Sequence, residues 1–297
     1  HWLEYMHYLA KDSSQEVYAK SLPDTNVWIG KLAFNDPYVD HYLRYPGFRY
    51  FPVVGVSWSQ ANDYAVWRTR AVNVQLAQGA GEEYAETDGR IPLESGIVIP
   101  SYRLATEAEW EYAAQAMLGT QWVEELQTNQ RIYPWDGHAL RNPFGKQMGF
   151  FLANFKRGRG DYAGIAGRLN DGALITSYIY EFPPNDYGLY NMAGNVSEWV
   201  MDVYRPLSFQ DFDDLNPIRR DGFLDEATGP ANKYNNIDKD PAGFTSLITD
   251  RARVYKGGSW KDVAYWMSPG TRRYLDQDSS TATIGFRCAM IRAGSNY

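Results

Sequence analysis

The chain has 297 residues, of which 44% are hydrophobic, enough to build the core of one large domain or two small ones. Its formal net charge of −7, with no helical face rich in Lys and Arg, argues against a nucleic-acid partner. No apolar run reaches the ~20 residues that a membrane-spanning helix needs. With Cys288 as the only cysteine, an intramolecular disulfide is excluded.

Large rings are frequent in this chain, with 23 Tyr, 13 Phe and 10 Trp. They favour a core built from amphipathic aromatic side chains, and a glycan- or peptide-binding surface is the alternative.

The first half of the chain predicts two helices and a strand. Apolar residues at Trp2, Tyr5, Met6 and Leu9 follow helical spacing, and this pattern fades near Pro23. The run from Tyr50 to Trp58 is typical of a short buried strand. Ser57 and Gln60 then have the spacing of a capping box, so a helix is expected to begin there and to run past Trp67.

A second capping box, Thr106 with Glu109, predicts the next helix. Its apolar stripe faces a core, and Gly119 is expected to end it; the stripe consists of Trp110, Ala113, Ala114 and Met117. After Pro134, Gly, Asp, Asn and Pro recur every few residues, which indicates short strands and long ordered loops. Such loops need fastening by metals, buried polar groups or aromatic side chains.

No repeat and no linker-like stretch divides the sequence, so residues 1–297 are expected to form a single domain. Two stretches, near residues 71–100 and 205–250, are interpreted as insertions, the second rich in Asp and Asn. Added loops on a scaffold often carry function. The chain begins at His1 without Met, so we expect the natural N-terminus to lie upstream.

Five motifs follow one another in an order typical of one enzyme family. They are Val53–Trp58, Arg103–Ala114, Tyr133–Trp135, Asn185–Trp199, and Lys256–Trp260 with Gly285–Cys288. The first four match a Pro-Val-x-x-Val-Ser-Trp strand, an Arg-Leu-Pro-Thr-Glu-Ala-Glu-Trp helix, a Pro-Trp-Gly turn and an Asn-x-x-Gly-Leu-Tyr-x-Met-x-Gly-Asn-Val-x-Glu-Trp signature. The sequence thus resembles the formylglycine-generating (sulfatase-modifying) enzyme family over nearly its whole length.

This resemblance implies an α+β fold, a formylglycine-generating-enzyme-like and C-type-lectin-related domain with low regular secondary-structure content and two principal helices. The family holds copper with two cysteines after the Gly-Gly-Ser-Trp turn, and Asp262 and Met267 stand in their places. A carboxylate and a thioether do not supply the two thiolates that bind soft Cu(I). We therefore expect no copper, no catalytic residues and no enzyme activity.

Calcium is the cofactor that the resemblance implies. One family site matches Asn154 and Phe155 with Asp171 and Ala173, and a second matches Asn191, Gly194, Val196 and Glu198. Each set combines side-chain and carbonyl oxygens, the ligands that Ca²⁺ prefers. One or two structural calcium ions are expected.

The missing cysteine pair and the aromatic N-terminal half are similar to a lipoprotein branch of this family in the type 9 secretion and gliding apparatus of the Bacteroidota. That branch implies a non-catalytic structural or interaction subunit on the periplasmic face of the outer membrane. Its expected partners are other gliding and secretion proteins, and an upstream lipid anchor is its only expected membrane contact. A glycan- or peptidoglycan-binding module, or an enzyme that uses the old pocket without copper and cysteines, are the alternatives.

Overall fold

The computed structural model of the protein describes residues 1–30, 34–85, 90–116, 132–135, 139–158, 171–204 and 251–292. Its α-helices are α1 (Trp2–Asp12), α2 (Gln15–Ser21), α3 (Pro37–His41), α4 (Trp58–Ala80) and α5 (Glu107–Gln115). Its strands are β1 (Tyr102–Leu104), β2 (Ser197–Val203), β3 (Ala252–Lys256), β4 (Arg273–Asp276), β5 (Ile284–Phe286) and β6 (Cys288–Met290). The content is mixed, as expected for an α+β fold.

The strands form two sheets. The larger has the order β4-β3-β2-β5, in which β5 runs parallel to β2 and the other neighbours are antiparallel. The smaller pairs β1 with β6. Within the described residues between Pro134 and Asn195, the only regular features are a 3₁₀ turn at Gly145–Gln147, an isolated bridge from Arg141 to Phe151 and a single bridge residue at Gly158. The predicted loss of periodicity after Pro134 is confirmed there.

Both predicted capping boxes are present. Ser57 and Gln60 exchange hydrogen bonds at the start of α4, and Thr106 and Glu109 do so at the start of α5. Each box satisfies donors that the first helical turn leaves without partners. The last turn of α4 passes into Gly81, which adopts the left-handed conformation.

Three details differ from the sequence-based expectations. The first helical pattern is split at Ser13 into α1 and α2, where Ser14 caps the second helix. Helix α5 ends at Gln115, before Gly119, because Ala116 takes the left-handed conformation. The buried strand expected between Tyr50 and Trp58 does not form.

Gly55 explains the missing strand. Its φ is +73°, outside the β region, and an added Cβ would lie 2.3 Å from the carbonyl oxygen of Asp24. The backbone here makes separate hydrogen bonds, from Asp24 N–H to the Gly55 oxygen and from Gly55 N–H to the Thr281 oxygen. Val54 and Val56 are nevertheless fully buried.

The two predicted insertions have different outcomes. Residues 71–80 continue α4, and the chain then returns over it, where the Asn73 side chain bonds both the N–H and the carbonyl of Ile99. Ala77, Ile91 and Val98 form a small core of their own. The second insertion, 205–250, lies outside the described residues.

Helix α5 lies on the larger sheet over an apolar layer and a buried ion cluster. Trp110 and Ala114 of α5 pack on Val200 and Val254. Lys256, at the end of β3, has a fully buried side chain whose Nζ lies 3.1 Å from Glu107 Oε1 and also contacts the Glu111 carboxylate. Arg272 Nε lies 2.7 Å from Glu107 Oε1 and adds a second cation.

Lys256→Met should lower the free energy of unfolding by about 3 kcal/mol, because two carboxylates would remain at the helix–sheet contact without their buried partner. Urea titration followed by circular dichroism measures this loss. The matched control is Lys20→Met, which removes an exposed pair with Glu16 and should leave the urea midpoint unchanged. Equal midpoints for both variants would contradict a structural role for Lys256.

Candidate functional site

The two positions that the resemblance predicts for the copper-binding cysteines lie at a 3₁₀ turn, Ala264–Met267: Asp262 precedes the turn and Met267 is its last residue. Asp262 forms a two-pronged ion pair with Arg273: Nη1 lies 2.6 Å from Oδ1 and Nη2 lies 2.7 Å from Oδ2. Ser259 Oγ donates to Asp262 Oδ2 at 2.5 Å, and Arg273 Nη2 also donates to Ser197 Oγ at 3.0 Å. The charge of Asp262 is therefore balanced within the protein.

The Arg273 guanidinium is itself held between two aromatic rings. It lies 4.6 Å from the Trp266 ring centroid and 4.9 Å from that of Tyr255. A planar guanidinium favours such contacts together with a bidentate carboxylate, and a lysine could not replace it.

Met267, at the second cysteine position, is fully buried. It belongs to a hydrophobic cluster with Phe151, Ala153, Phe155 and Ala193. Its side chain also lies close to Gly258, where an added Cβ would come within 3.2 Å of Met267 Cγ. Met267 therefore acts as a core side chain, and the two positions predicted from the resemblance hold an ion pair and a packed thioether.

The residues of the first expected calcium site lie together. Asp171 Oδ2 accepts from Phe155 N–H at 3.3 Å, and Asp171 Oδ1 accepts from Ala173 N–H at 3.1 Å. Asn154, next to Phe155, is buried and donates from Nδ2 to the carbonyl oxygen of Ile175. The site thus brings one carboxylate and one amide side chain to adjoining segments.

Burial raises the pKa of Asp171 to about 6, and the backbone N–H groups of Ala173 and Phe155 only partly offset this. None of the described Lys or Arg side chains forms an ion pair with it. A buried carboxylate without a cationic partner is costly, and a bound divalent cation would relieve that cost. The donor set of this site therefore fits calcium.

The second expected calcium site differs in how its charge is balanced. Asn191 Nδ2 donates to the Ile179 oxygen, whereas Asn191 Oδ1 is buried and accepts no hydrogen bond from the described residues. Glu198, however, is engaged: its carboxylate accepts from Trp110 Nε1 at 2.7 Å and from Arg287 Nε and Nη2 at 2.6 and 2.5 Å. The oxygen of Asn191 fits a metal, but Arg287 already balances the charge of Glu198.

The two expected calcium sites share a backbone contact. Asn195 N–H donates to the Asn154 carbonyl oxygen at 2.8 Å. Gly194 has φ of +74°, and an added Cβ would lie 2.4 Å from that same oxygen. Only glycine permits this approach. Val196 follows in the chain and is buried in a separate cluster that includes Trp260.

A cavity that the sequence did not reveal opens beside the Asp262 turn. Its volume is about 320 Å³, and it is lined by Val27–Gly30, Asn35, Trp260, Lys261 and Ser280–Thr283. Trp28 and Trp260 are stacked beneath it, with ring centroids 6.1 Å apart and an interplanar angle of 24°. No motif connects Val27–Gly30 and Asn35 with Ser280–Thr283, so only the fold could bring them together. We call this space the Trp260 cavity.

No three His, Cys, Asp or Glu side chains converge as a metal-binding group in the described ranges. None of the helices that the structure describes has the length and hydrophobicity needed to cross a bilayer. Cys288 lies against the aromatic cluster of α1 and α4, and burial raises the pKa of its thiol to about 11. This disfavours a nucleophilic role for Cys288.

Comparison with known proteins finds both a formylglycine-generating enzyme and a relative that is named as inactive. The chain is 28% identical over 243 residues to the formylglycine-generating enzyme of Mus musculus, covering 80% of this chain and 44% of that protein. It is 29% identical over 239 residues to the inactive C-alpha-formylglycine-generating enzyme 2 of Mus musculus, covering 80% and 48%. The chain thus spans about half the length of these relatives, and identity alone does not separate the active from the inactive one.

Among solved structures, Treponema denticola variable protein 1 is similar, with a TM-score of 0.46, 19% identity, and coverage of 82% of this chain and 72% of that chain. The model of the sulfatase-modifying factor enzyme 1-like domain matches residues 37–292. That match covers most of the 297 residues and includes all five motifs, Asp262 and Met267. The chain therefore belongs to the family of sulfatase-modifying factor enzyme 1-like domains.

Proposed function

We propose that this protein is a non-catalytic interaction subunit built on the fold of an oxidase. The observation that carries the proposal is the Asp262–Arg273 ion pair. If Asp262 served as a metal ligand, its carboxylate would have to leave a guanidinium that is fixed by two rings and by Ser197. Met267 would have to leave a close-packed core. Neither group offers the thiolate chemistry of the family.

The protein should make no formylglycine, because two thiolates are needed to hold Cu(I) and the chain has neither at these positions. Incubation with Cu(I), oxygen and a Cys-x-Pro-x-Arg peptide should give no aldehyde above a blank without protein, as measured by mass spectrometry. A catalytically active member of the family, assayed in parallel, verifies the peptide and the copper. Copper-dependent aldehyde formation by this chain would refute the non-catalytic proposal.

Within the family, we infer that the protein is gliding-motility lipoprotein J of the Bacteroidota, or a near relative of it. The ordered motifs, the aromatic N-terminal half and the absence of the cysteine pair support this inference. It implies a lipid-anchored outer-membrane lipoprotein on the periplasmic side that assembles with other proteins of the type 9 secretion and gliding apparatus.

The insertion at 205–250 is the proposed contact with these partners, since interfaces draw on aromatic anchors. Its candidates are Phe209, Phe212, Phe223, Tyr234 and Phe244. Replacing this segment with a short Gly-Ser bridge should abolish co-purification of partners from native membranes. Loop closure depends only weakly on loop length, so the melting temperature should change little. Phe34→Ser, at an exposed aromatic residue elsewhere, is the control and should retain the partners. Partners retained by the shortened protein would exclude this segment as the interface.

Calcium is proposed as a structural ion, first at the site of Asp171, with Asn154, Phe155 and Ala173 as the residues that would hold it. The site of Asn191, Gly194, Val196 and Glu198 is a second candidate. The ion would supply the positive charge that Asp171 lacks among the described residues and would tie residues 154–155 to 171–173. From the family resemblance, we also propose that the fold of this domain is related to that of C-type lectins.

A chelator should therefore lower the melting temperature of the wild type by several degrees, and calcium should restore it better than magnesium. A hundredfold excess of ligand over Kd stabilises a protein by roughly 2.7 kcal/mol. Asp171→Asn should abolish the response to calcium, and Asp40→Asn, at an exposed carboxylate, should preserve it. Metal analysis that finds no calcium, with a melting curve indifferent to chelator, would show that the ion has been lost.

A peptidoglycan- or glycan-binding module is the second candidate function, and one surface feature favours it. Tyr50, Tyr178, Tyr180 and Tyr190 form a row in which neighbouring rings meet edge to face, at centroid distances of 5.8, 5.6 and 4.9 Å. Tyr50 and Tyr180 are more than half exposed. Such rings offer both an apolar face and a hydroxyl. Sedimentation with purified peptidoglycan, lost on Tyr180→Ala, would favour this alternative over a purely protein-binding role.

A further inference from the structure

The Trp260 cavity is large enough to hold a small ligand. Its volume of about 320 Å³ falls at the lower end of the range for small-molecule sites. Its floor is the stacked pair Trp28 and Trp260, and its rim carries the exposed Ile29. The shape and the floor suit an apolar group about the size of one amino-acid side chain.

The wall formed by Ser280–Thr283 is held from three directions. Gly55 N–H donates to the Thr281 oxygen at 3.0 Å, Trp260 Nε1 donates to the Ala282 oxygen at 3.0 Å, and Ser197 N–H donates to the Thr283 oxygen at 2.8 Å. The hydroxyls of Thr281 and Thr283 also bond each other at 3.0 Å. A ligand would meet a wall already fixed in place, which reduces the entropy cost of binding.

The cavity is lined by one positively charged side chain among its described residues. Among the described residues that line the cavity, Lys261 is the one charged residue. No described carboxylate pairs with its ammonium, and the adjacent Asp262 is fully engaged by Arg273. Lys261 therefore brings a positive charge without a described carboxylate partner to a cavity that Asn35 and Ser280 also line.

We propose that the Trp260 cavity binds a small carboxylate whose apolar part packs on Trp28 and Trp260. Lys261 pairs with the carboxylate, while Asn35 and Ser280 supply hydrogen bonds to it. One ammonium balances one carboxylate, whereas a phosphate dianion calls for more cations or a helix N-terminus. The carboxylate belongs either to a free acylated amino acid or to the C-terminal end of a polypeptide.

The test uses the full chain with N-acetyl-leucine, N-acetyl-leucinamide and a short peptide ending in leucine, and follows tryptophan fluorescence and calorimetry. N-acetyl-leucine should bind saturably, and the amide should bind about tenfold more weakly or not at all, because a charge-assisted contact is lost. Lys261→Gln should weaken the binding of N-acetyl-leucine by a similar factor, and Lys261→Arg should retain most of the affinity. Lys146→Gln removes an exposed lysine on another segment and should bind as the wild type does.

Tighter binding of the peptide than of N-acetyl-leucine identifies a chain end as the ligand, and equal or weaker binding identifies a free acid. The proposal is overturned if the amide and the acid bind equally, if Lys261→Gln leaves the affinity unchanged, or if neither carboxylate binds. Lys261 is exposed, so these substitutions do not disturb the core, and a melting curve confirms that each variant is folded. The outcome does not depend on the partner or aldehyde experiments.

Discussion

The fold depends on two opposite charges buried side by side in the larger sheet. Glu198 of β2 and Lys256 of β3 are direct cross-strand neighbours. The carboxylate of Glu198 is satisfied by Trp110 of α5 and by Arg287, and the ammonium of Lys256 is satisfied by Glu107 and Glu111 of α5. Helix α5 is thereby fastened to both central strands through polar groups that cannot be left unpaired in a dry interior. The apolar layer of Trp110, Val200 and Val254 supplies contact area, and the charges fix the orientation of the helix.

Much of the local structure could be predicted because its cause lies within a few residues. The capping boxes at Ser57 and Thr106 determine where α4 and α5 begin, and both interactions span three residues. The ends were harder to predict, since α5 stops at an alanine in the left-handed conformation, a choice for which the sequence carries no marker. The missing strand near Gly55 has a nonlocal cause, the carbonyl oxygen of Asp24, 31 positions earlier in the chain.

The candidate site, too, was predictable from the sequence only in part. The family resemblance indicated Asp171 with Ala173 and the run from Asn191 to Glu198, and in the structure Asp171 accepts hydrogen bonds from the N–H groups of Phe155 and Ala173. The resemblance also indicated Asp262 and Met267, but it did not reveal which side chains surround them. Arg273, which balances Asp262, is one of two adjacent arginines, and only the register of β4 decides which of them faces the turn. The engagement of Glu198 by Arg287 was equally invisible.

The Trp260 cavity has walls of two different origins. Trp260, Lys261 and residues 280–283 lie within the stretch that matches the family, 37–292, whereas Val27–Gly30 and Asn35 precede it. The family scaffold thus contributes a fixed half of the cavity, and the segment before it contributes the other half. Changes in Val27–Gly30 and Asn35 can therefore alter which ligand is accepted without disturbing the sheet, the ion cluster or the loops around Asp171, so that recognition can evolve separately from folding.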